Sequence, residues 1–516
     1  MPAIQIDMFE VQLGAAILLQ FEADDAVVRV LADAGVKAGG YPVTHVRDKL
    51  KAMLSEPTRI DLMIGTHYDE DHLNGLVPII EDPGFSISEA WMPPVANDTQ
   101  SFAADQPVAS GDLLTTQLAR EDGDEVLAVY LAAKRRDIET VGALEAELDP
   151  DGVAGIKRVA LQKAEFFASE DPLDLRFFRA QLEQDGRADE IDHGCEQEIE
   201  SSLALTRTLE DVQNGLFRYW YYDRPGQLDG LKEFARDMQS ASPELVAPRA
   251  RTLANLRSQV AKEAVNAGAL RKVLAALSRR NIPVRSEVID DGIPRRYRWT
   301  AASQRFVLAR PDSAGLTFDL LGPSKSLVKK HRDRLPVLET GRIALAFAGE
   351  IRSITASNQL SYIGCFRHAG QGVLVSGDAG CVDFKPDKGA YFPQLLAAMK
   401  SLHVVQVAHH AGANAHFYRV LAAAGYPAQV EPSWLLLSHA THDRTRPSDV
   451  FHDFLLTNLK DGDDIRLLFT SEPTRDKVVD YLAAINPVVG PPGTVGDIRL
   501  QYQDQWGVAA HAISVR

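Results

Sequence analysis

Apolar positions fall in short, strand-like runs over the first hundred residues and again beyond about residue 280, with a different pattern between them. Ile4-Gln-Ile-Asp-Met-Phe-Glu-Val11 and Leu13-Gly14-Ala15-Ala16-Ile-Leu-Leu-Gln-Phe21 predict two short strands joined by a tight turn. A helix is expected over about 44–55, then an apolar strand, Ile60-Asp-Leu-Met-Ile64, which stops at Gly65-Thr66. Ser88-Glu-Ala-Trp-Met-Pro-Pro94 predicts another short strand, closed by a proline break. From about 98 to 265 the chain is rich in Ala, Leu, Glu, Asp and Arg. Apolar i, i+4 spacing at Leu144 and Leu148, and again around Val153 to Phe167, predicts helices. The segment therefore reads as a mostly helical insertion, in which Leu216-Phe-Arg-Tyr-Trp-Tyr-Tyr222 is the strand-like run. That aromatic patch is a packed core or a subunit contact on base rates, and a base-stacking platform on the functional reading. Strand character returns at Ile282–Ile289, Arg305–Leu308 and Leu316–Leu321. Two further runs, Gly372–Ser376 and Leu402–Ala408, each end on a candidate ligand.

Length and composition narrow the class. A chain of 516 residues corresponds to roughly three units of about 150 residues. With 45% hydrophobic and 24% charged residues it can bury an ordinary globular core. No run of about 18 apolar residues exists, so no membrane span is expected. The start, Met1-Pro-Ala-Ile-Gln-Ile-Asp, lacks the basic and apolar regions of a secretory signal. Cys195, Cys365 and Cys381 lie far apart, which fits neither a disulfide framework nor a cysteine zinc site. A cytoplasmic setting is the expectation. The formal charge of −16 argues against strong non-specific binding to long DNA, although a local basic groove remains compatible with it.

Chemistry concentrates at the strand ends. Thr66-His67-Tyr68-Asp69-Glu70-Asp71-His72-Leu73-Asn74-Gly75 carries four metal-capable side chains within six residues, directly after a buried strand. Histidine and carboxylate suit a Zn²⁺ or Mn²⁺ pair, and a tight loop can converge them. The plain alternative is a polar loop capping a helix, with Asp71 as the cap. Asp378 follows Val373-Leu-Val-Ser-Gly377, where the alternative is an ordinary Gly-Asp turn. His409-His410-Ala411-Gly412 follows Val404-Val-Gln-Val-Ala408. Adjacent side chains of a strand face opposite ways, so one of the two imidazoles is expected to bind metal, with His409 preferred. Ser438-His439-Ala440-Thr441-His442 follows Trp434–Leu437 and offers His442 as a proton donor and His439 as a substrate contact; a surface loop is the alternative. Lys325, Lys329, Lys330, Arg332 and Arg334 predict a basic helix after Pro323. It is a solvated face on the bland reading and a phosphate-steering edge on the functional one.

Taken together these elements resemble the metallo-β-lactamase superfamily, whose first motif is His-x-His-x-Asp-His, with Asp69 standing at the second histidine. That departure resembles the hydrolase domain of ComEC-type DNA-uptake channel proteins. Gly377-Asp378 matches that branch's Gly-Asp, His409-His410-Ala411 its His-His-Gly, and Asn358-Gln-Leu-Ser361 its Asn-x-x-Ser. Val11-Gln-Leu-Gly-Ala-Ala16 looks like its Val-Gly-Gln-Gly-Asp-Ala, and Leu320-Leu-Gly-Pro323 like its Leu-x-Pro. Gln12-Leu13, Ala15 and Arg446-Pro447 depart from the pattern, the last standing in place of His-Pro. The resemblance covers about 1–95 and 270–450.

The resemblance implies an α/β fold, the αββα sandwich of that superfamily. Residues 1–97 and 268–516 would form its two halves, around an insertion at 98–267. Joining about residue 98 to about residue 268 would then leave a foldable core. It further implies two divalent ions, Zn or Mn. His67, Asp69 and one of His409 or His410 would hold one, Asp71 and His72 the other, and Asp378 would lie between them. Asp71 would also orient the attacking water. Asn358, Ser361, His439, Lys329 and Lys330 would contact substrate. A phosphodiester or nucleic acid is the expected substrate. Hydrolysis of an ester, thioester or lactone is the alternative within the fold, and a non-catalytic scaffold that binds a partner, or itself, through the insertion is the alternative outside it.

Overall fold

A computed structural model of the chain describes residues 2–36, 41–54, 58–95, 113–148, 173–184, 246–332, 356–385, 389–412, 414–427, 432–438, 440–441, 443, 446–458, 465–471 and 496–511. The strand-like run at 216–222, the helical stretch 153–167, Arg334, His439 and His442 lie outside the described residues.

Among the described residues the strands form two eight-stranded mixed sheets and one two-stranded sheet. The first large sheet runs Trp506–His511, Ile498–Tyr502, Ile4–Met8, Ala16–Ala23, Ala26–Ala34, Leu62–Ile64, Ala90–Trp91 and Val284–Arg285. The second runs Arg305–Leu308, Arg295–Thr300, Thr317–Gly322, Ile363–His368, Gln371–Val375, Val404–Gln406, Ser433–Leu437 and Ile465–Phe469. Each sheet starts with antiparallel pairings and changes to parallel ones part-way. The change comes between Ala26–Ala34 and Leu62–Ile64 in the first sheet, and between Gln371–Val375 and Val404–Gln406 in the second.

Alternation along the strands explains the layering. Ile4, Ile6, Met8, Ile17, Leu19 and Phe21 share a buried core with Phe318, Leu320, Phe366 and Leu374 of the second sheet. Aromatic side chains bridge the two: Phe21 stacks on Phe366 with centroids 5.8 Å apart, and Trp91 meets Phe318 edge-on at 5.3 Å. The intervening positions Ala16 and Leu18 face the other way, into a second core built with Val46, Leu50, Ile79, Leu270 and Leu274. Period-two patterning thus gives the first sheet one face towards its partner sheet and one towards helices. The helices Ala415–Ala423 and Asp449–Asn458 pack their Phe417, Leu421 and Phe451 onto the second sheet. The last strand pair returns to the start of the chain, where Arg499 pairs with buried Asp7 at 2.5 Å.

The sequence reading needs four corrections. The strand expected over Ile60–Ile64 is two strands in different sheets, Thr58–Ile60 and Leu62–Ile64. Asp61 causes the break: its carboxylate accepts the Arg29 backbone N–H at 3.0 Å and pairs with Arg59 at 2.7 Å, replacing a backbone acceptor by a side chain. The run Ile282–Ile289 contributes only Val284–Arg285 and an isolated bridge at Ile289. Strands at Ala26–Ala34, Arg295–Thr300, Ile363–His368, Ile465–Phe469, Ile498–Tyr502 and Trp506–His511 add to those expected.

The fourth correction concerns the insertion. The boundary expected at 267/268 falls inside one 34-residue helix, Val246–Arg279. Val260, Ala261, Ala264, Val265 and Ala267 lie before the boundary and Leu270, Val273, Leu274 and Leu277 after it. All are buried in the same core as Leu18, Leu31 and Met63 of the first sheet. At about 1.5–3 kcal/mol for each large apolar side chain fully buried, this helix is a structural layer of the fold. Joining residue 98 to residue 268 is therefore expected to give an insoluble or unfolded product. Soluble protein with native-like circular dichroism and a cooperative thermal transition would contradict this placement.

Candidate metal centre

The candidate ligands gather where each sheet changes from antiparallel to parallel, at the carboxyl ends of the strands, the usual place for a site in an open α/β sheet. Leu62–Ile64 delivers the loop Thr66–Asp71, Gln371–Val375 delivers Asp378, and Val404–Gln406 delivers His409 and His410. His67, Asp69, His72, Asp378, His409 and His410 are buried, and Asp71 is half-buried.

Asp378 is the centre of the group. Its Oδ2 lies 3.7 Å from His67 Nε2, and its Oδ1 lies 3.4 Å from His72 Nε2 and 3.6 Å from His410 Nε2. None of these three Nε2 atoms has a hydrogen-bond partner among the described residues. Their other ring nitrogens are occupied. His72 Nδ1–H donates to Asp33 Oδ2 at 2.9 Å, and His410 Nδ1–H donates to the Ser438 carbonyl at 2.9 Å. Thr66 Oγ1 donates to Asp33 Oδ2 at 2.5 Å, so its lone pair accepts from His67 Nδ1–H at 3.3 Å. Each contact engages Nδ1 and turns Nε2 towards Asp378, the ring atom through which such an imidazole would ligate. Three groups of side chains bring ligand atoms within 4.8 Å of one another: His67, His72 and Asp378; Asp71, His72 and His410; and His67, Asp69 and Asp71.

The electrostatics agree with the geometry. Burial, helped by His72 and Lys262, holds His67 well below the usual histidine range, so its ring stays neutral. Burial, then Arg446 and His72, does the same to His410. Burial alone would lower His72 too, but Asp378, Asp33 and Asp71 outweigh it and push the imidazole up to about 10. The carboxylates around Asp378 thus demand positive charge at that Nε2. Desolvation raises Asp33 and Asp69 above the ordinary carboxylate value.

No family model matches the chain, and no curated protein matches it.

The histidine pair is arranged differently from the strand-based expectation. The strand stops at Gln406, and His409, His410 and Ala411 are all left-handed, with φ of 55°, 52° and 61°. Strand alternation does not apply to this turn. His410, not the preferred His409, joins Asp378; His409 Nε2 instead lies 3.4 Å from Asn358 Nδ2. Three successive non-glycine residues in this region cost of order 1–3 kcal/mol each, which the buried surroundings offset. Gly377 is also left-handed, at φ 50°, and a Cβ there would stand 2.3 Å from Thr66 Oγ1, so glycine is required immediately before Asp378.

The other expected residues divide. Asn358 is buried beside the cluster, and buried Ser361 Oγ has no hydrogen-bond partner among the described residues. Lys329 is exposed on the helix Lys325–Arg332, which also includes Lys330. Arg446 is buried and pairs with Asp443 at 3.5 Å.

Sequence reasoning missed Asp33, Ser357, Lys262 and Asn266. Asp33 takes three donors, including the Thr66 backbone N–H at 2.7 Å. An aspartate at the end of the apolar run Val30-Leu-Ala-Asp33 was the available signal. Asp69 Oδ1 accepts from Asn266 Nδ2 at 2.6 Å and from the Ser357 hydroxyl, while its Oδ2 pairs with Lys262 at 2.9 Å. Lys262 and Asn266 stand one turn apart on the helix Val246–Arg279, but nothing in the chain revealed what they face.

Two tests follow from this geometry. His410→Ala should lower the number of bound divalent ions, and His409→Ala should leave it unchanged, as counted by native mass spectrometry and elemental analysis. The reverse result would move the ligand to His409. Separately, a Cβ at Gly35 would stand 1.8 Å from the Asp71 carbonyl oxygen and 2.2 Å from His72 N. Gly35→Ala should therefore displace the ligand loop and destabilise the protein by about 1–3 kcal/mol, the range for overpacking. A melting temperature and ion content equal to wild type would show that the loop adjusts freely.

Proposed function

We propose that the chain is a metal-dependent hydrolase with a metallo-β-lactamase fold, acting on phosphodiesters in the manner of the ComEC-type hydrolase domain it resembles. The observation that carries this reading is the convergence on one carboxylate of three buried Nε2 atoms with no hydrogen-bond partner among the described residues. Two mixed sheets sharing a core, with helices on their outer faces, support the fold assignment.

The donor set fits a pair of divalent cations. His67, His72 and His410 would bind through Nε2, and Asp378, Asp71 and Asp69 through carboxylate oxygens. Mixed nitrogen and oxygen donors suit Zn²⁺ and Mn²⁺. Such ions supply an acidified water and a positive field for a developing oxyanion. The chain's own residues do the rest. Asp33, Thr66 and the Ser438 carbonyl hold the imidazoles in register. The buried walls exclude bulk water, and Asp71, the half-buried carboxylate of the set, would accept a proton from an attacking water. Lys329, exposed on its basic helix, supports an anionic substrate, as does the resemblance.

The deciding experiment compares chelator-treated protein with protein restored by Mn²⁺ or Zn²⁺. Substrates are bis-p-nitrophenyl phosphate, single-stranded and duplex oligonucleotides, and p-nitrophenyl acetate. Metal-restored protein should cleave the phosphodiesters, and Asp71→Asn should lose about 100-fold or more of that activity while keeping its fold. Equal turnover before and after metal removal, or by Asp71→Asn, would overturn the reading. Cleavage of the acetate alone would replace it by an esterase.

A further inference from the structure

Most of the helix Val246–Arg279 lies before residue 270, where the resemblance resumes, and this part of the helix reaches the ligand loop. Lys262 Nζ lies 2.9 Å from Asp69 Oδ2. One turn later Asn266 donates to Asp69 Oδ1 at 2.6 Å and accepts the Glu70 backbone N–H at 3.2 Å. The neighbouring helix Arg176–Gln184 adds Arg179, paired with Glu70 at 2.6 Å.

These contacts differ in kind. Asn266 and Ser357 already satisfy one oxygen of a buried carboxylate, and they are buried themselves. Lys262 is different: its side chain is 22% exposed, whereas that of Asp69 is 3% exposed. Its side chain thus combines partial exposure with a contact to the cluster, since the Asp69 oxygen it touches is 3.9 Å from His67 Nε2. Another cation that acts on the cluster, Arg446, has a side chain only 2% exposed. An ammonium is a compact charge on a flexible stem, with three donors that can be redirected at little cost. On the rim of an acidic site such a group offers an incoming anionic oxygen a partner without rebuilding the helix.

We propose that Lys262 is a substrate-contact residue supplied by the helix Val246–Arg279, binding an anionic phosphoryl oxygen and favouring charged phosphodiesters over neutral esters. This rests on the hydrolase reading above, and the test separates the two. Wild type, Lys262→Met and Lys262→Arg are each loaded with Mn²⁺ and their ions counted by native mass spectrometry. Affinity for inorganic phosphate is measured by calorimetry, and kcat and KM are measured on bis-p-nitrophenyl phosphate. Lys262→Met should keep its ions, bind phosphate about tenfold more weakly and raise KM about tenfold, with a smaller change in kcat. Lys262→Arg should recover most of the affinity. Unchanged phosphate affinity in Lys262→Met, or no phosphate binding by wild type, would overturn the assignment. So would loss of ions from Lys262→Met, because the lysine would then act by holding Asp69 in place. Wild type that binds phosphate through Lys262 but cleaves nothing would sink the hydrolase reading and, with it, the substrate role, leaving Lys262 as a phosphate contact alone. Active wild type whose Lys262→Met variant binds phosphate equally well would do the reverse.

Discussion

Asp33 ties together the two ends of the ligand loop with a carboxylate that has no exposure to solvent. A buried charge is costly unless it is paired and hydrogen-bonded, and removing one partner of such a pair costs about 3–5 kcal/mol. Here the Thr66 backbone N–H, the Thr66 hydroxyl and the His72 imidazole all converge on it. Through Thr66 it engages Nδ1 of His67, and directly it engages that of His72. Two of the three Nε2 atoms facing Asp378 therefore depend on one residue at the end of the strand Ala26–Ala34. The third is fixed independently by the Ser438 carbonyl, from the second sheet.

This division follows from the topology. Each sheet delivers its ligand-bearing loops where its pairing changes from antiparallel to parallel, and the shared core holds the two sheets against each other. The first sheet contributes the loop that carries most of the carboxylates. The second contributes Asp378 and His410 from adjacent parallel strands. Neither sheet completes the cluster alone, so the aromatic contacts that set the distance between the sheets, such as Trp91 on Phe318, also set the distances around Asp378.

The strand ends were legible in the sequence because a buried strand that stops on a charged residue is a local pattern. His67, Asp69, Asp71, His72, Asp378 and the His409-His410 pair could all be read that way. The choice between the two histidines could not. It depends on a run of left-handed residues, and neither His409 nor His410 carries the glycine that usually marks such a turn. Hydrophobic periodicity located Arg305–Leu308 and the runs near 372 and 404, yet it missed the strands at Ala26–Ala34 and Ile465–Phe469, where charged residues interrupt the pattern. The role of Asp33 was hidden for another reason. Its partners lie 33 and 39 residues away, and one sequence does not reveal which donors a buried carboxylate will meet.

Asp69 and the helix Val246–Arg279 form one structural feature. In the structure that helix places Lys262 and Asn266 on Asp69. A neutral imidazole at position 69 would offer one acceptor nitrogen and no charge, and could not receive an ammonium, an amide and the Ser357 hydroxyl together. A carboxylate offers two oxygens and a negative charge, and it receives all three. The carboxylate is thus suited to the helix as much as to an ion, and the packing that docks the helix on the first sheet also holds the ligand loop. By linkage, an ion that binds this loop more tightly when the helix is docked stabilises the docking by the difference between its two binding free energies.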